Sequence, residues 1–166
     1  MKKIVLSFLL VLGLNSFSQT IEISPLLEDK ISIRAIEIFD NKVWYAGSES
    51  KFGFVDLKNS KNQKQIKLSD KNLQFRTLSQ DKKSFFAINI ESPAYFFEVD
   101  KKTLQSKIIF TDTVKTAFYD ALHFNGDHLY TFSDPMKDLK LRFLKFKTKG
   151  KAFKFKFYNQ VNLKEG

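Results

Sequence analysis

Apolar residues along this chain come in short runs between polar turns, and after the N-terminus no stretch keeps a long helical spacing. Turns such as Asp40-Asn41, Gln80-Asp81-Lys82 and Asn125-Gly126-Asp127 separate the runs, and Gly and Pro are sparse. This pattern predicts an all-β chain.

Sliding the chain against itself exposes a repeat. At an offset of 42, Arg34 falls on Arg76, Trp44 on Phe86, Phe54 on Phe96, Asp56 on Glu98 and Leu57 on Val99; at about 44, Asp120 falls below Arg76 and Tyr130 below Phe86. Each unit opens with a charged residue on a strand (Arg34 to Ile38, Arg76 to Leu78, Asp120 to Phe124). An aromatic strand follows (Val43 to Ala46, Ser84 to Ile88, His128 to Phe132), then a third (Phe52 to Val55, Ala94 to Val99, Leu141 to Phe146) and a fourth (Gln65 to Leu68, Lys107 to Phe110, Phe153 to Phe157). Four short strands in such a period predict β-propeller blades, in about three to three and a half four-stranded antiparallel units near 31–72, 73–116 and 117–160. A β-sandwich of unrelated hairpins is the alternative. So few units do not close a ring of the usual roughly four to eight blades, so the expectation is an incomplete propeller whose open blade face invites self-association.

The first residues change where such a fold is expected to work. Lys2 and Lys3, the apolar run from Ile4 to Leu14 and the small-residue pattern Ser16-Phe17-Ser18 have the form of a secretory signal peptide over residues 1–18, giving a mature chain of 19–166 in the periplasm or outside the cell. The apolar run is too short for a stable membrane span. Cysteine is absent, which excludes a lipoprotein anchor, disulfides and thiolate metal sites.

Charge refines the reading. The formal net charge is +10. Residues 19–136 carry 16 basic and 16 acidic side chains, whereas 137–156 carry nine basic ones against Asp138 alone. A neutral body with one basic ribbon argues against nucleic acid as a partner. Within that ribbon, residues 153–158 alternate aromatic and cation, which suits either an anionic surface or an edge strand protected by its lysines.

Several segments carry a resemblance: Ile33 to Ile36, Val43 to Ser48, Leu73 to Leu78, Glu91-Ser92-Pro93-Ala94-Tyr95, Phe118 to Phe124 and Ser133-Asp134-Pro135. They look like secreted β-propellers of Bacteroidetes commonly labelled "oxidoreductase", which are similar to the photosystem II stability/assembly factor, to BNR repeats of sialidase type and more loosely to WD40/YVTN-like repeats. Members of that family continue beyond a segment like Leu163–Gly166, so the resemblance implies a C-terminally truncated member. The Asp-box turn of BNR repeats is not intact here; its best remnants begin at Gly53 and Gly150.

Catalytic signatures are missing from the sequence: there is no Gly-x-Gly-x-x-Gly, P-loop or His-Glu-x-x-His, and no cofactor is implied. His123 and His128 flank a turn without a clustered third ligand, so turn and strand roles outweigh a metal site. The best candidates are the charges that open each unit. Innermost strands of a propeller converge on one axial mouth, so Arg34, Arg76 and Asp120 are expected there, with Asp134 and Glu91 able to add carboxylates. Two guanidiniums suit the bidentate grip of an acidic group, on a protein or an anionic glycan; an Arg-Asp network locking blade to blade fits equally. The resemblance to sialidases implies a glycosidase as the alternative activity, with Tyr119 the nearest tyrosine for its nucleophile, and the family label implies an oxidoreductase. A noncatalytic binding or assembly protein is the reading these residues favour.

Overall fold

The computed structural model describes Leu27 and residues 30–134, 140–147 and 154–162, the last strand by its backbone course only. Residues 1–18, which read as a signal peptide, and Gly150 lie outside the described residues. Among the described residues twelve strands form three four-stranded antiparallel sheets, and there is no helix. Sheet one comprises β1 (Ile33–Phe39), β2 (Lys42–Gly47), β3 (Lys51–Asp56) and β4 (Gln63–Lys67). Sheet two comprises β5 (Phe75–Gln80), β6 (Ser84–Asn89), β7 (Ala94–Asp100) and β8 (Ser106–Asp112). Sheet three comprises β9 (Phe118–Asn125), β10 (His128–Asp134), β11 (Lys140–Lys147) and β12 (Lys154–Asn162).

Each sheet runs in chain order from its first strand to its last, and β5 packs between β1 and β9. Three such meanders, with their first strands side by side, are three consecutive propeller blades in an open array. β12 is the edge strand of its sheet, and its pairing with β11 sets Phe155 opposite Phe146 and Lys154 opposite Lys147.

Tight hairpins set the registers. Asp40 and Asn41 both adopt positive φ, 51° and 54°, the conformation that a two-residue hairpin turn demands and that Asp and Asn tolerate. Asp81 closes the β5–β6 hairpin by accepting the N–H groups of Lys83 and Ser84, each at 2.7 Å.

The registers correct part of the repeat. Glu37 pairs with Trp44 and Ser79 with Phe86, so the first two strands keep the offset of 42. The third strand does not: Ala46 pairs with Phe52 while Ile88 pairs with Phe96, which matches Phe52, not Phe54, to Phe96. The cause is the longer connection from β6 to β7, through Glu91, Ser92 and Pro93, which adds two residues relative to the β2–β3 hairpin. From there the offset is 44, and Asp56 corresponds to Asp100 rather than to Glu98. Both aspartates confirm it by making the same turn. Asp56 Oδ1 accepts the N–H groups of Lys58 and Asn59, and Asp100 Oδ1 those of Lys102 and Thr103.

Those backbone donors hold both carboxyls below the ordinary aspartate value of 3.8. A depressed folded-state pKa contributes stability that is fully present above 3.8 and lost as pH falls through the folded value. The double variant Asp56→Asn, Asp100→Asn is therefore expected to show a flatter fall in melting temperature below pH 4 than the parent chain. Equal slopes in thermal melts taken from about pH 5 to 2 would remove this assignment.

Packing between blades follows from the aromatics. Phe85 of blade two sits against Trp44 at 4.5 Å and Phe52 at 5.6 Å, ring centroid to centroid, joining blades one and two. Phe96 meets Tyr119 at 5.2 Å and Phe146 at 5.0 Å, joining blades two and three. Two buried clusters thus lie between successive sheets. They explain the phenylalanine-rich composition, since large rings fill the gap between stacked sheets with few side chains.

Gly53 occupies the middle of β3 rather than a turn, between Tyr45 and Gln65. A Cβ there would stand 2.2 Å from the Lys64 carbonyl oxygen and 2.8 Å from Tyr45 Oη. The glycine lets the Tyr45 ring cross the sheet and hydrogen-bond Gln65 Oε1 at 3.0 Å. This close approach, not an Asp-box, accounts for it.

Candidate functional site

In each blade the innermost strand breaks its pairing with the second strand at one place. Ile33 pairs with Gly47 and Ala35 with Ala46, which leaves Arg34 as the extra residue. Phe75 pairs with Asn89 and Thr77 with Ile88, leaving Arg76. Tyr119 pairs with Ser133 and Ala121 with Phe132, leaving Asp120. The three charged residues that open the repeats are thus the three β-bulge residues of β1, β5 and β9. A bulge takes one residue out of the strict two-sided alternation and re-aims its side chain, which is how Arg76 can stand between buried Phe75 and Thr77.

Side chains tie these strands together in parallel alignment. Arg76 Nη1 donates to Asp120 Oδ1 at 3.0 Å, across the boundary between blades two and three. Farther along, the Phe124 N–H donates to Ser79 Oγ at 2.9 Å, and Gln80 Nε2 donates to Glu37 Oε2 at 2.9 Å and to the Ile38 carbonyl at 3.1 Å. Starts therefore lie beside starts and ends beside ends, so Arg34 shares its end of the array with Arg76 and Asp120.

Their surroundings differ. Arg34 is exposed, its Nε donates to Ser32 Oγ at 3.3 Å, and among the described residues no carboxylate pairs with it. Arg76 is half-buried, and its Nε is buried with no hydrogen-bond partner while Nη1 holds Asp120. The Arg-Asp lock between blades and an open guanidinium beside it are both present. With the two side chains 38% and 30% exposed, solvent screening limits the Arg76–Asp120 pair to about 1 kcal/mol.

Glu91 does not stand free at this mouth. Its Oε1 accepts the Gln74 N–H at 2.8 Å and its Oε2 accepts Asn89 Nδ2 at 3.1 Å, so the carboxylate fixes the segment entering β5. Asp134 ends β10 opposite Phe118, at the Asp120 end of the blade; its side chain lies outside what is described.

Tyr119 is unsuited to the nucleophilic role that the sialidase resemblance implies. It is fully buried and its hydroxyl donates to Asp112 Oδ2 at 2.5 Å. Burial, then the carboxylate beside it, pushes the phenol far above its ordinary value of 10.0, away from the phenolate a nucleophile requires. His123 and His128 are not cross-strand partners: His123 pairs with Tyr130, and His128 with Asn125, while His128 Nδ1 lies 2.5 Å from Asp127 Oδ1.

Sequence reasoning missed three groups. Buried Asn89 braces the β6–β7 connection, with Nδ2 donating to the Glu91 and Pro93 carbonyls and Oδ1 accepting the Tyr95 N–H at 2.6 Å. Lys101 lies 3.5 Å from the Phe39 ring centroid and donates to Gln80 Oε1 at 2.6 Å, closing the far end of the first interface. Desolvation lowers its pKa from 10.5. Arg142, 8% exposed on β11, sets a cation near Tyr119. Only Asn89 left a signal, an Asn directly before the Ile90–Pro93 turn.

No known family profile and no curated protein matches the chain. Solved structures do. The WD40 repeats of RRP9 superimpose with a TM-score of 0.60 at 12% identity over 80% of this chain and 41% of that one, and U3-55K with 0.59 at 12% identity over the same shares. The computationally designed Ika4 protein superimposes with 0.56 at 9% identity, over 85% of this chain and 100% of that one. At these identities the likeness is one of fold, and the chain spans about two fifths of the length of the WD40 proteins.

Proposed function

We propose that this chain is an exported, noncatalytic binding or assembly module whose axial end, at Arg34, Arg76 and Asp120, grips an acidic side chain of a protein partner. Export rests on the signal-type sequence of residues 1–18. The observation that carries the reading is the bulge that recurs in all three inner strands and puts a charged residue at one end of each. Asp120 already occupies one side of the Arg76 guanidinium and holds its plane. Arg34, exposed at the same end, is free to take a carboxylate in the bidentate fashion that arginine favours. The likeness to WD40 repeats supports a protein as the partner class.

Calorimetric titration with glutamate-rich peptides tests it. Binding is expected to weaken about tenfold or more in Arg34→Ala, with melting temperature unchanged. Equal binding by parent and variant, binding of sialylated oligosaccharides alone, or turnover of a fluorogenic sialoside would each contradict it. Mass spectrometry of exported protein should find Gln19 at the N-terminus; retained Met1 would contradict export with cleavage.

A further inference from the structure

Arg34 and Arg76 hold the same bulge position in successive blades, but they do not present the same charge to a ligand. Arg34 is exposed, and its Nε donates to the neutral Ser32 hydroxyl. Arg76 stands between buried Phe75 and Thr77, its Nε is enclosed without a partner, and Nη1 donates to Asp120 Oδ1 at 3.0 Å. That contact is a single hydrogen bond and not a two-pronged fork, so it leaves other donors of the Arg76 head open. Asp120 therefore acts on this end less by filling the arginine than by offsetting its charge.

The carboxylate is in a position to be felt by a ligand, since its side chain is 30% exposed and it sits on the third bulge of the same end. Glu91 cannot take its part, because both its oxygens are committed to Gln74 and Asn89. A group with one negative charge can be met by Arg34 alone. A group with two needs a second cation, and Arg76 is already offset.

We infer, on the reading of this end as a carboxylate grip, that Asp120 is a specificity-determining residue: it sets the site to singly charged carboxylates and against doubly charged groups such as phosphate monoesters. A phosphoserine carries about −1.5 to −2 at neutral pH, so at Arg34 its surplus charge is set against Asp120. The penalty acts through the field and needs no contact. It is largest at low salt, where the Debye length is about 30 Å at 0.01 M.

Calorimetric titrations at low salt test this with a glutamate-rich peptide and the same peptide carrying phosphoserine in place of one glutamate. The parent is expected to bind the glutamate peptide at least as tightly as the other. In Asp120→Asn the amide oxygen can still accept from Arg76 Nη1 while the charge is gone. Affinity for the phosphoserine peptide should then rise about tenfold, and that for the glutamate peptide about threefold at most. Arg76→Gln works in the opposite direction, because it leaves Asp120 uncompensated. It should weaken the phosphoserine peptide about tenfold and the glutamate peptide less. Each variant is decisive by itself if the other does not fold. A parent that prefers phosphoserine, or an affinity ratio that is the same in the parent and the variants, would overturn the role of Asp120 and leave the grip of Arg34 standing. A parent that binds neither peptide would sink the carboxylate grip itself, and the role of Asp120 with it.

Discussion

Replacing Phe86 with alanine is expected to destabilise the chain by about 3–5 kcal/mol, the usual cost of emptying a large aromatic site in a close-packed core. Phe86 is 1% exposed and packs, at 6.2 Å between stacked ring centroids, on Phe124 of the following blade. A loss of that size is a large fraction of the roughly 5–15 kcal/mol that holds a domain together. The same change at Tyr130, the corresponding residue of blade three, should cost less than about 1 kcal/mol, because its side chain is 38% exposed. Denaturant titrations of the two variants give the comparison. Comparable losses would mean that the Tyr130 face of blade three is covered as the Phe86 face of blade two is.

Asn89→Ala is expected to cost about 2–3 kcal/mol although it removes little volume. Its side chain is fully buried, and it serves the Glu91 and Pro93 carbonyls, the Glu91 carboxylate and the Tyr95 N–H at once. Truncation leaves those groups without the partner and out of reach of water, so the penalty is the unpaired polar groups rather than a cavity. Asn89→Asp should cost at least as much, because it sets a second carboxylate against Glu91 and removes the donor. Melting temperatures decide this, and a change within about 0.5 kcal/mol of the parent at both substitutions would show that the network carries no stability.

Much of the fold was legible because blades repeat and because a strand's alternation is visible in one dimension. The pairing of Arg34 with Arg76 and of Trp44 with Phe86 survives in the registers. The third strand misaligns because Phe54 lies two places from Phe52, the true counterpart of Phe96, and a shift of two preserves which face a strand residue takes. Apolar pattern is therefore blind to it, and only the turn chemistry of Asp56 and Asp100 shows the true offset. Tyr130 aligns with Trp44 and Phe86, yet it is partly exposed, because the sequence marks a residue's face and not whether another blade covers that face.

The candidate site divides along the same line. Charges out of place in apolar strands marked Arg34, Arg76 and Asp120, and the bulges explain how those strands bear them. Glu91 is drawn into a local bracket by Gln74 and Asn89, partners that hairpin geometry creates and spacing does not reveal. The pair Gln80 and Glu37, which ties blade one to blade two, looks in the sequence like ordinary surface polarity.

The bulged inner strands lie side by side, and a double-mutant cycle on Arg76 and Asp120 probes that adjacency most directly. The two residues lie 44 positions apart and meet only if blades two and three sit side by side in the described register. Arg76→Ala, Asp120→Ala and the double variant, measured by denaturant unfolding at low salt, should give a coupling of about 1 kcal/mol that shrinks as salt rises. Additive effects, within about 0.3 kcal/mol and independent of salt, would show that the two side chains do not meet and would contradict the arrangement of blades on which the proposed site rests.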